Sequence, residues 1–279
     1  MSSRYKDRFE RLQQAKQKAF IPFTILGWPN KEKSLALIEQ MIKSGVSALE
    51  LGIAFSDPVA DGPIIQQATY ETISSGFSVG DALALITQVR KLDNEIPIGI
   101  LVYFNTVLAR GIDQFFAEAK KSGVDGILIA DLPVENIDEI LPAAKAANID
   151  LIFIISPVTD KNRLKKILTQ ASGFLYLVSR LGVTGTGERS HTKDLELGNL
   201  IKQIKSESKL PVYAGFGISS VADAESMFSM SADGVITGSQ VIKIVQNNDF
   251  AKATSELEKF YVGMLTTCSK PQTSPQPVQ

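Results

Sequence analysis

Short apolar runs alternate with amphipathic stretches along the whole chain, and this pattern predicts an α/β protein with a (β/α)8 fold, the TIM barrel. The runs are often β-branched, which is typical of parallel strands buried on both faces. We expect eight strands, at residues 21–26, 48–53, 98–102, 126–130, 151–155, 174–178, 212–214 and 234–237. A doubly wound sheet is the alternative, but eight units in 279 residues favour closure into a barrel.

The segments between these runs carry apolar residues at helical spacing. We expect helices at residues 31–44, 112–122, 136–147, 160–170, 194–206 and 221–230, and an extra N-terminal helix at residues 4–19 that covers the lower end of the barrel. The chain shows no Pro-, Gly- or Ser-rich linker, so we expect a single barrel domain over residues 1–265. Residues 266–279 are rich in Pro, Gln and Ser and predict a disordered tail.

Composition excludes several classes of function. The net charge of -1 predicts no electrostatic attraction to nucleic acid or to an anionic membrane. The single cysteine, Cys268, cannot form an internal disulfide and fits a reducing cytoplasm. No apolar signal core or membrane-length run is present, so we expect a cytoplasmic protein without membrane contact. The single histidine, His191, argues against a histidine-built metal site, and we expect no metal.

Residues 50–63 are the most informative segment. Glu50 lies in a predicted buried strand, where a carboxylate is costly unless it is paired, protonated or functional. The loop that follows contains Asp57 and Asp61. One acid on a rigid strand and a second on an adjacent loop suit proton transfer at two positions of one substrate. For Asp57 alone, a turn-forming role is an equal alternative.

Glycine-rich loops follow the last three predicted strands. They contain Gly182, Gly185 and Gly187 after strand six, Gly215 and Gly217 after strand seven, and Gly238 after strand eight. Glycines let backbone amides approach an anion, and loops seven and eight are the usual phosphate position of such barrels. Any one of these loops could instead be a tight turn. Residues 181–192 predict a mobile lid that closes over a substrate. A long surface loop is the alternative. We expect His191, near the end of this segment, to be an exposed loop residue.

Further motifs occur in a fixed order along the chain. They are Tyr103-Phe104-Asn105, Ala130-Asp131-Leu132-Pro133-Val134-Glu135, Ser179-Arg180-Leu181-Gly182-Val183-Thr184-Gly185, Gly215-Phe216-Gly217-Ile218-Ser219 and Gly238-Ser239. Together with residues 50–63 they resemble the α subunit of tryptophan synthase, from Phe20 to about Ile244. The resemblance implies a carbon–carbon lyase of tryptophan biosynthesis that cleaves indole-3-glycerol phosphate into indole and glyceraldehyde 3-phosphate.

The resemblance also implies partners and cofactors. Indole would pass through a tunnel to a β subunit that carries pyridoxal phosphate, in an α2β2 heterotetramer, and this chain would hold no cofactor itself. We expect weak activity of the chain alone and strong activation when a β subunit docks over loops one to three. Two alternatives stay open: a free-standing lyase that releases indole, and a catalytically idle barrel that activates a partner, against which the Glu50 and Asp61 pair argues.

Residue roles follow from the same resemblance. Glu50 matches the general acid/base, Asp61 matches the second carboxylate, which holds the indole N–H and stabilises the indolenine charge, and Tyr176 matches an active-site tyrosine. The apolar positions of the indole pocket are matched by Phe23, Leu101, Leu128 and Ile236. Substrate binding is further implied for Thr184 and for a phosphate cradle formed by Gly185, Gly217, Gly238 and Ser239.

Two residues depart from the family pattern. Trp28 stands where many members have Asp, and Ala54 stands where many have Pro. Both positions lie in loops near the surface that the family uses to contact its β partner. An exposed Trp28 would itself be a contact residue, and a Trp28 folded into the barrel mouth is the equal alternative.

Overall fold

Eight parallel strands close into one barrel in chain order, as the sequence predicted. The computed structural model describes residues 3–178 and 191–270. The strands are β1 (Ala19–Ile25), β2 (Leu49–Gly52), β3 (Ile98–Val102), β4 (Gly126–Ile129), β5 (Asp150–Ile155), β6 (Leu175–Val178), β7 (Val212–Gly215) and β8 (Gly234–Thr237). Closure is made by β1 and β8, where Ala19 pairs with Gly234.

Helices follow the strands and form the outer layer. Those of the described residues are α1 (Arg4–Gln14), α2 (Lys31–Lys43), α3 (Pro63–Ser74), α4 (Val79–Leu92), α5 (Phe104–Arg110), α6 (Ile112–Ser122), a 3₁₀ helix (Val134–Glu139), α7 (Leu141–Ala147), α8 (Lys161–Gln170), α9 (His191–Glu207), α10 (Val221–Ser229), α11 (Ser239–Gln246) and α12 (Phe250–Ser269). Local signals set their ends: Ser78 and Asp81 form a capping box at the start of α4, and Gly123 ends α6 in the left-handed conformation.

Two predicted helices differ from those observed. The helix expected at residues 136–147 is divided into the 3₁₀ helix and α7, because Pro142 in the first turn of α7 has no backbone N–H to continue a preceding helix. The helix expected at residues 4–19 ends at Gln14. Lys16 takes a left-handed φ of 53°, and the chain then enters β1.

The N-terminal helix closes the end of the barrel at which the strands begin. Tyr5 and Phe9 of α1 are buried, and the Phe9 ring lies 4.8 Å from that of Tyr213 in β7. Arg4 anchors the helix through an ion pair of 2.7 Å with Asp125, which precedes β4. The predicted covering role of this helix is therefore confirmed, and the opposite end of the barrel is left for the loops after the strands.

The C-terminal helix extends past the predicted start of the tail. Helix α12 runs to Ser269, and Thr267 and Cys268 are buried in it. The N–H of Lys18 donates to the Cys268 carbonyl at 2.9 Å, so this turn of helix is held against the start of β1. Residues 271–279 of the expected tail lie outside the described residues. None of the described helices is long and apolar enough to cross a membrane.

Candidate active site

The Glu50 side chain points into the barrel interior, because side chains alternate between the two faces of β2. Its neighbours Leu49 and Leu51 pack in the apolar layer between the strands and the helices. Successive side chains of a strand point to opposite faces, so Glu50 points to the interior. There it pairs in register with Phe23 of β1 and is 5% exposed. The sequence-based placement of a buried carboxylate in this strand agrees with the structure.

One cavity at the carboxyl ends of the strands brings together most of the predicted site. It is lined by Phe23, Glu50, Asp61, Ile65, Leu101, Tyr176, Phe216, Gly217, Ile218, Ile236, Gly238 and Ser239. All three predicted catalytic residues are among them. The cavity has a volume of about 30 Å³.

Burial shifts the proton affinity of Glu50. Removal from water raises its pKa from 4.5 to about 8, and the charge of Asp61 adds to this effect. Glu50 is thus protonated at neutral pH, in a cavity where it can give its proton to a bound molecule.

Asp61 lies before α3 and is 6% exposed. Burial raises its pKa from 3.8 to about 6, and a hydrogen bond that it accepts from the Tyr103 hydroxyl opposes the rise. The distance from Tyr103 Oη to Asp61 Oδ2 is 3.0 Å. Asp61 therefore ionises before Glu50, and at neutral pH the cavity holds one carboxylate and one carboxylic acid.

Tyr176 lies in β6 with its side chain in the barrel interior and is 5% exposed. Burial, with the charges of Glu50 and Asp61, raises the pKa of its hydroxyl well above the ordinary 10. The hydroxyl is therefore neutral and can act only as a hydrogen-bonding group. Its ring meets that of Phe216 edge-on at 5.9 Å.

Three of the four predicted indole-pocket residues line the cavity: Phe23, Leu101 and Ile236. The fourth, Leu128 of β4, is 1% exposed and packs in the interior cluster with Ile236 and Tyr176, but it is not one of the cavity's lining residues.

Gly217, Gly238 and Ser239 lie together at the cavity. Gly217 has a φ of 80°, which a residue with a side chain adopts only with strain, and Ser239 is the first residue of α11. A Cβ at Gly238 would lie 2.9 Å from the Phe23 ring, so this glycine also leaves room for the apolar wall. The other predicted substrate-binding residues, Thr184 and Gly185, lie with residues 179–190 outside the described residues.

Several polar residues of the loops are not brought into the cavity. Asp57 is exposed and accepts a hydrogen bond from the Ser56 hydroxyl. Asp131 Oδ1 accepts the backbone N–H of Phe104 at 2.7 Å and so holds the start of α5. His191 begins α9, so its placement in a loop was wrong.

Trp28 is folded into the protein. It is 2% exposed, and its indole Nε1 donates to Glu71 of α3 at 2.7 Å. The expectation of an exposed Trp28 was therefore wrong. The ring is buried, as the second alternative expected, but it packs in the apolar layer and against α3, which supplies its acceptor. Ala54, the other departure, is half-buried against the apolar layer.

Sequence reasoning gave no role to Tyr103, although it named the motif that contains it. The residue directly follows β3 and is 2% exposed. Only the folded chain places its hydroxyl against Asp61, 42 positions earlier. The one available signal was an aromatic residue with a polar tip at a strand end.

A larger cavity of about 460 Å³ lies outside the barrel wall, between β4, β5, the 3₁₀ helix and α8. Its lining is mainly aliphatic and contains neither Glu50 nor Asp61. Among the described residues, no group of three or more His, Cys, Asp or Glu side chains could hold a metal ion.

Comparison with known proteins gives one consistent result. A family model described as "Tryptophan synthase alpha chain" matches residues 9–269. A tryptophan synthase alpha chain of Cronobacter sakazakii is 40% identical over 269 residues, which are 96% of this chain and 99% of the relative. That of Helicobacter pylori is 42% identical over 245 residues, which are 88% of this chain and 92% of the relative.

Solved structures agree. Tryptophan synthase subunit alpha from Legionella pneumophila superposes with a TM-score of 0.86 at 31% identity, over 96% of this chain and 99% of that one. A chain of the tryptophan synthase complex from Pyrococcus furiosus gives a TM-score of 0.78 at 32% identity, over 90% of this chain and 99% of that one.

Proposed function

Because the chain belongs to the tryptophan synthase alpha chain family, its reaction is the cleavage of indole-3-glycerol phosphate, and we propose that Glu50 and Asp61 carry out the acid/base chemistry of this step. It is a lyase of tryptophan biosynthesis. The comparisons fit this interpretation and not the free-standing lyase or the idle barrel. The proposal of roles is carried by one observation: two buried carboxyl groups, those of Glu50 and Asp61, line the same cavity. Burial raises the pKa of Glu50 to about 8 and that of Asp61 to about 6, which gives the site an acid and a base.

The cleavage is a retro-aldol reaction in which Glu50 gives one proton to the substrate and later takes one back. Protonated Glu50 gives its proton to indole C3, and the ring becomes an indolenine cation. The ionised Glu50 then accepts the proton of the glycerol hydroxyl next to the bond that breaks. The C3–carbon bond breaks, its electrons return to the ring, and the oxygen becomes the aldehyde carbonyl of glyceraldehyde 3-phosphate. Glu50 ends in its starting state, ready for another turnover.

Asp61 stays ionised throughout this sequence. Its carboxylate accepts the indole N–H and opposes the positive charge that develops on the ring. A carboxylate in a cavity from which water is excluded acts on that charge more strongly than one in solvent. The pKa of about 6 supports this role, since the group carries its charge at neutral pH.

In the proposed pose, the indole ring of the substrate meets apolar side chains and the phosphate group meets hydrogen-bond donors. Phe23, Leu101 and Ile236 offer an apolar wall for the indole ring. Gly217, Gly238 and Ser239 offer backbone amides and the start of α11 for the phosphate group, with Thr184 and Gly185 as further proposed contacts. We propose no cofactor in this chain.

We further propose that the chain works in a complex with a β subunit that carries pyridoxal phosphate, in an α2β2 assembly. The relative from Pyrococcus furiosus is described as part of a tryptophan synthase complex. Apolar side chains at the catalytic end support docking there: Val59 in the loop after β2 is 74% exposed, and Leu108 of α5 is 43% exposed. A cytoplasmic location fits the lone thiol and the biosynthetic family.

The test is steady-state cleavage of indole-3-glycerol phosphate by the purified chain, with indole and glyceraldehyde 3-phosphate both measured. The proposal expects equal amounts of the two products, slow turnover alone and faster turnover with a β subunit. Normal turnover by variants without either carboxylate would overturn the assigned roles.

A further inference from the structure

The loop between β2 and α3 is held by one side chain from the neighbouring strand end. Tyr103 contacts this loop at three points. The Tyr103 hydroxyl donates to Asp61 Oδ2 at 3.0 Å, and the hydroxyl oxygen, Tyr103 Oη, accepts the backbone N–H of Ala60 at 3.0 Å. The Tyr103 ring stacks on Phe55 at 5.2 Å, with an angle of 21° between the planes. A single phenol thus fixes both the backbone and the carboxylate of the loop.

Tyr103 is itself well anchored. It is 2% exposed and directly follows β3. The next residue, Phe104, donates its backbone N–H to Asp131 at 2.7 Å, which ties the start of α5 to the loop after β4. The support of Asp61 therefore comes from two neighbouring strands and not from its own loop alone.

We propose that Tyr103 is the positioning residue for Asp61: its hydroxyl occupies Oδ2 and directs the other carboxylate oxygen, Oδ1, to the ring N–H of the substrate. This rests on the proposed function, in which Asp61 accepts that N–H. A hydrogen bond to an ionised carboxylate is stronger than one to a neutral group, so it holds the side chain in one orientation. The second bond, from the Ala60 N–H to the Tyr103 hydroxyl oxygen, fixes the direction of the Tyr103 O–H bond. Because the oxygen accepts from the backbone, its own proton is directed to Asp61.

The hydrogen bond between Tyr103 and Asp61 also favours the ionised form of Asp61. Among the described residues, the titratable groups that act on this region are Glu50 from β2, Tyr176 from β6, Tyr103 after β3 and Asp131 after β4. The tyrosines are neutral, and Glu50 is protonated when Asp61 ionises. The Tyr103 bond lowers the pKa of Asp61 against the effect of burial. It thereby widens the interval between the pKa values of the two carboxyl groups.

The test is Tyr103→Phe, which removes the hydroxyl and keeps the ring on Phe55. We expect kcat for indole-3-glycerol phosphate to fall on the order of tenfold to a hundredfold, because the variant loses one hydrogen bond to a charged group. The change in KM should be smaller. The acidic limb of the pH profile of kcat/KM should move to higher pH, because Asp61 loses the donor that favours its ionised form. A merely structural tyrosine would lower thermal stability without moving that limb.

The matched control is Tyr261→Phe. Tyr261 of α12 is also buried, but its hydroxyl has no hydrogen-bond partner among the described residues. This variant should keep the wild-type kcat and pH profile. A Tyr103→Phe enzyme with an unmoved acidic limb, whether its kcat is normal or reduced, overturns the inference.

Asp61→Asn separates this inference from the proposed function. If Asp61→Asn keeps normal kcat, the proposed role of Asp61 itself fails. If Asp61→Asn is impaired while Tyr103→Phe resembles wild type, only the positioning role fails. In the double variant, Asp61→Asn with Tyr103→Phe, the pH profile should lack the acidic limb that Asp61 causes. Its kcat should lie within about twofold of that of Asp61→Asn alone.

Discussion

Glu50 and Asp61 share one cavity, and the charge of Asp61 is the second cause, after burial, of the raised pKa of Glu50. The relationship is directional. Asp61 loses its proton near pH 6, while Glu50 is still protonated, so the charge that forms on Asp61 makes the loss of the Glu50 proton harder. Between the two values the site holds an acid and a base together, which is the state that the retro-aldol step requires.

Asp61→Asn should bind the substrate and turn it over slowly. Asparagine keeps the shape and can accept the indole N–H, but it carries no charge to oppose the indolenine cation. We expect a fall in kcat that exceeds any rise in KM, measured by steady-state kinetics at neutral pH. If KM alone changes, Asp61 serves binding and not catalysis.

Glu50 should make the stability of the fold pH dependent. Its pKa is raised from 4.5 to about 8, so the folded state keeps a proton that the unfolded chain releases. The stability linked to this proton is complete below about pH 4.5 and is lost as the pH rises through about 8. The free energy of unfolding in urea should therefore fall from about pH 5 to about pH 8, and Glu50→Gln should remove most of this slope. Identical slopes in both proteins would show that Glu50 is not the titrating group.

Ser239→Asp should weaken binding of the phosphorylated substrate and spare the fold. An acidic residue in the first turn of α11 favours the helix, but its charge repels a phosphate group at the same place. KM should rise, whereas the affinity for free indole should stay the same. The matched control is Ser239→Asn, which has a similar size without charge and should show a smaller rise. Equal effects of the two variants would exclude electrostatic repulsion as the cause.

Val59→Asp should weaken activation by a β subunit. Val59 is 74% exposed in the loop after β2, and a charge there would have to lose water when a partner docks. In a titration with β subunit, the midpoint of lyase activation should move to a higher concentration. Val262→Asp is the control, because Val262 is 57% exposed but lies on α12 at the outside of the barrel. Equal midpoints for the two variants would place the docking surface elsewhere.

The sequence predicted those features that depend on local pattern. Glu50 was placed correctly because apolar neighbours on both sides mark a buried strand, and an acid in such a strand is chemically conspicuous. The apolar spacing is helical throughout residues 136–147 and predicts one helix, whereas Pro142 divides this segment into the 3₁₀ helix and α7. Local pattern therefore gives the strands better than the exact helix ends.

Features that depend on distant contacts were not accessible in the same way. The burial of Trp28 requires an acceptor, Glu71, 43 positions later, and the role of Tyr103 requires the proximity of two strand ends. Neither contact has a spacing in the sequence that marks it. For Trp28 the sequence left two alternatives, and only the folded chain decides between them.

The most direct test of the central claim is kcat/KM for cleavage of indole-3-glycerol phosphate across the pH range, in wild type and in Glu50→Gln. The account predicts a bell-shaped profile for wild type, with limbs near pH 6 for Asp61 and near pH 8 for Glu50. It also predicts that Glu50→Gln folds normally and loses activity by roughly a hundredfold to ten-thousandfold, because glutamine can neither give nor accept the proton. Near wild-type turnover by folded Glu50→Gln, with the alkaline limb unchanged, would contradict it.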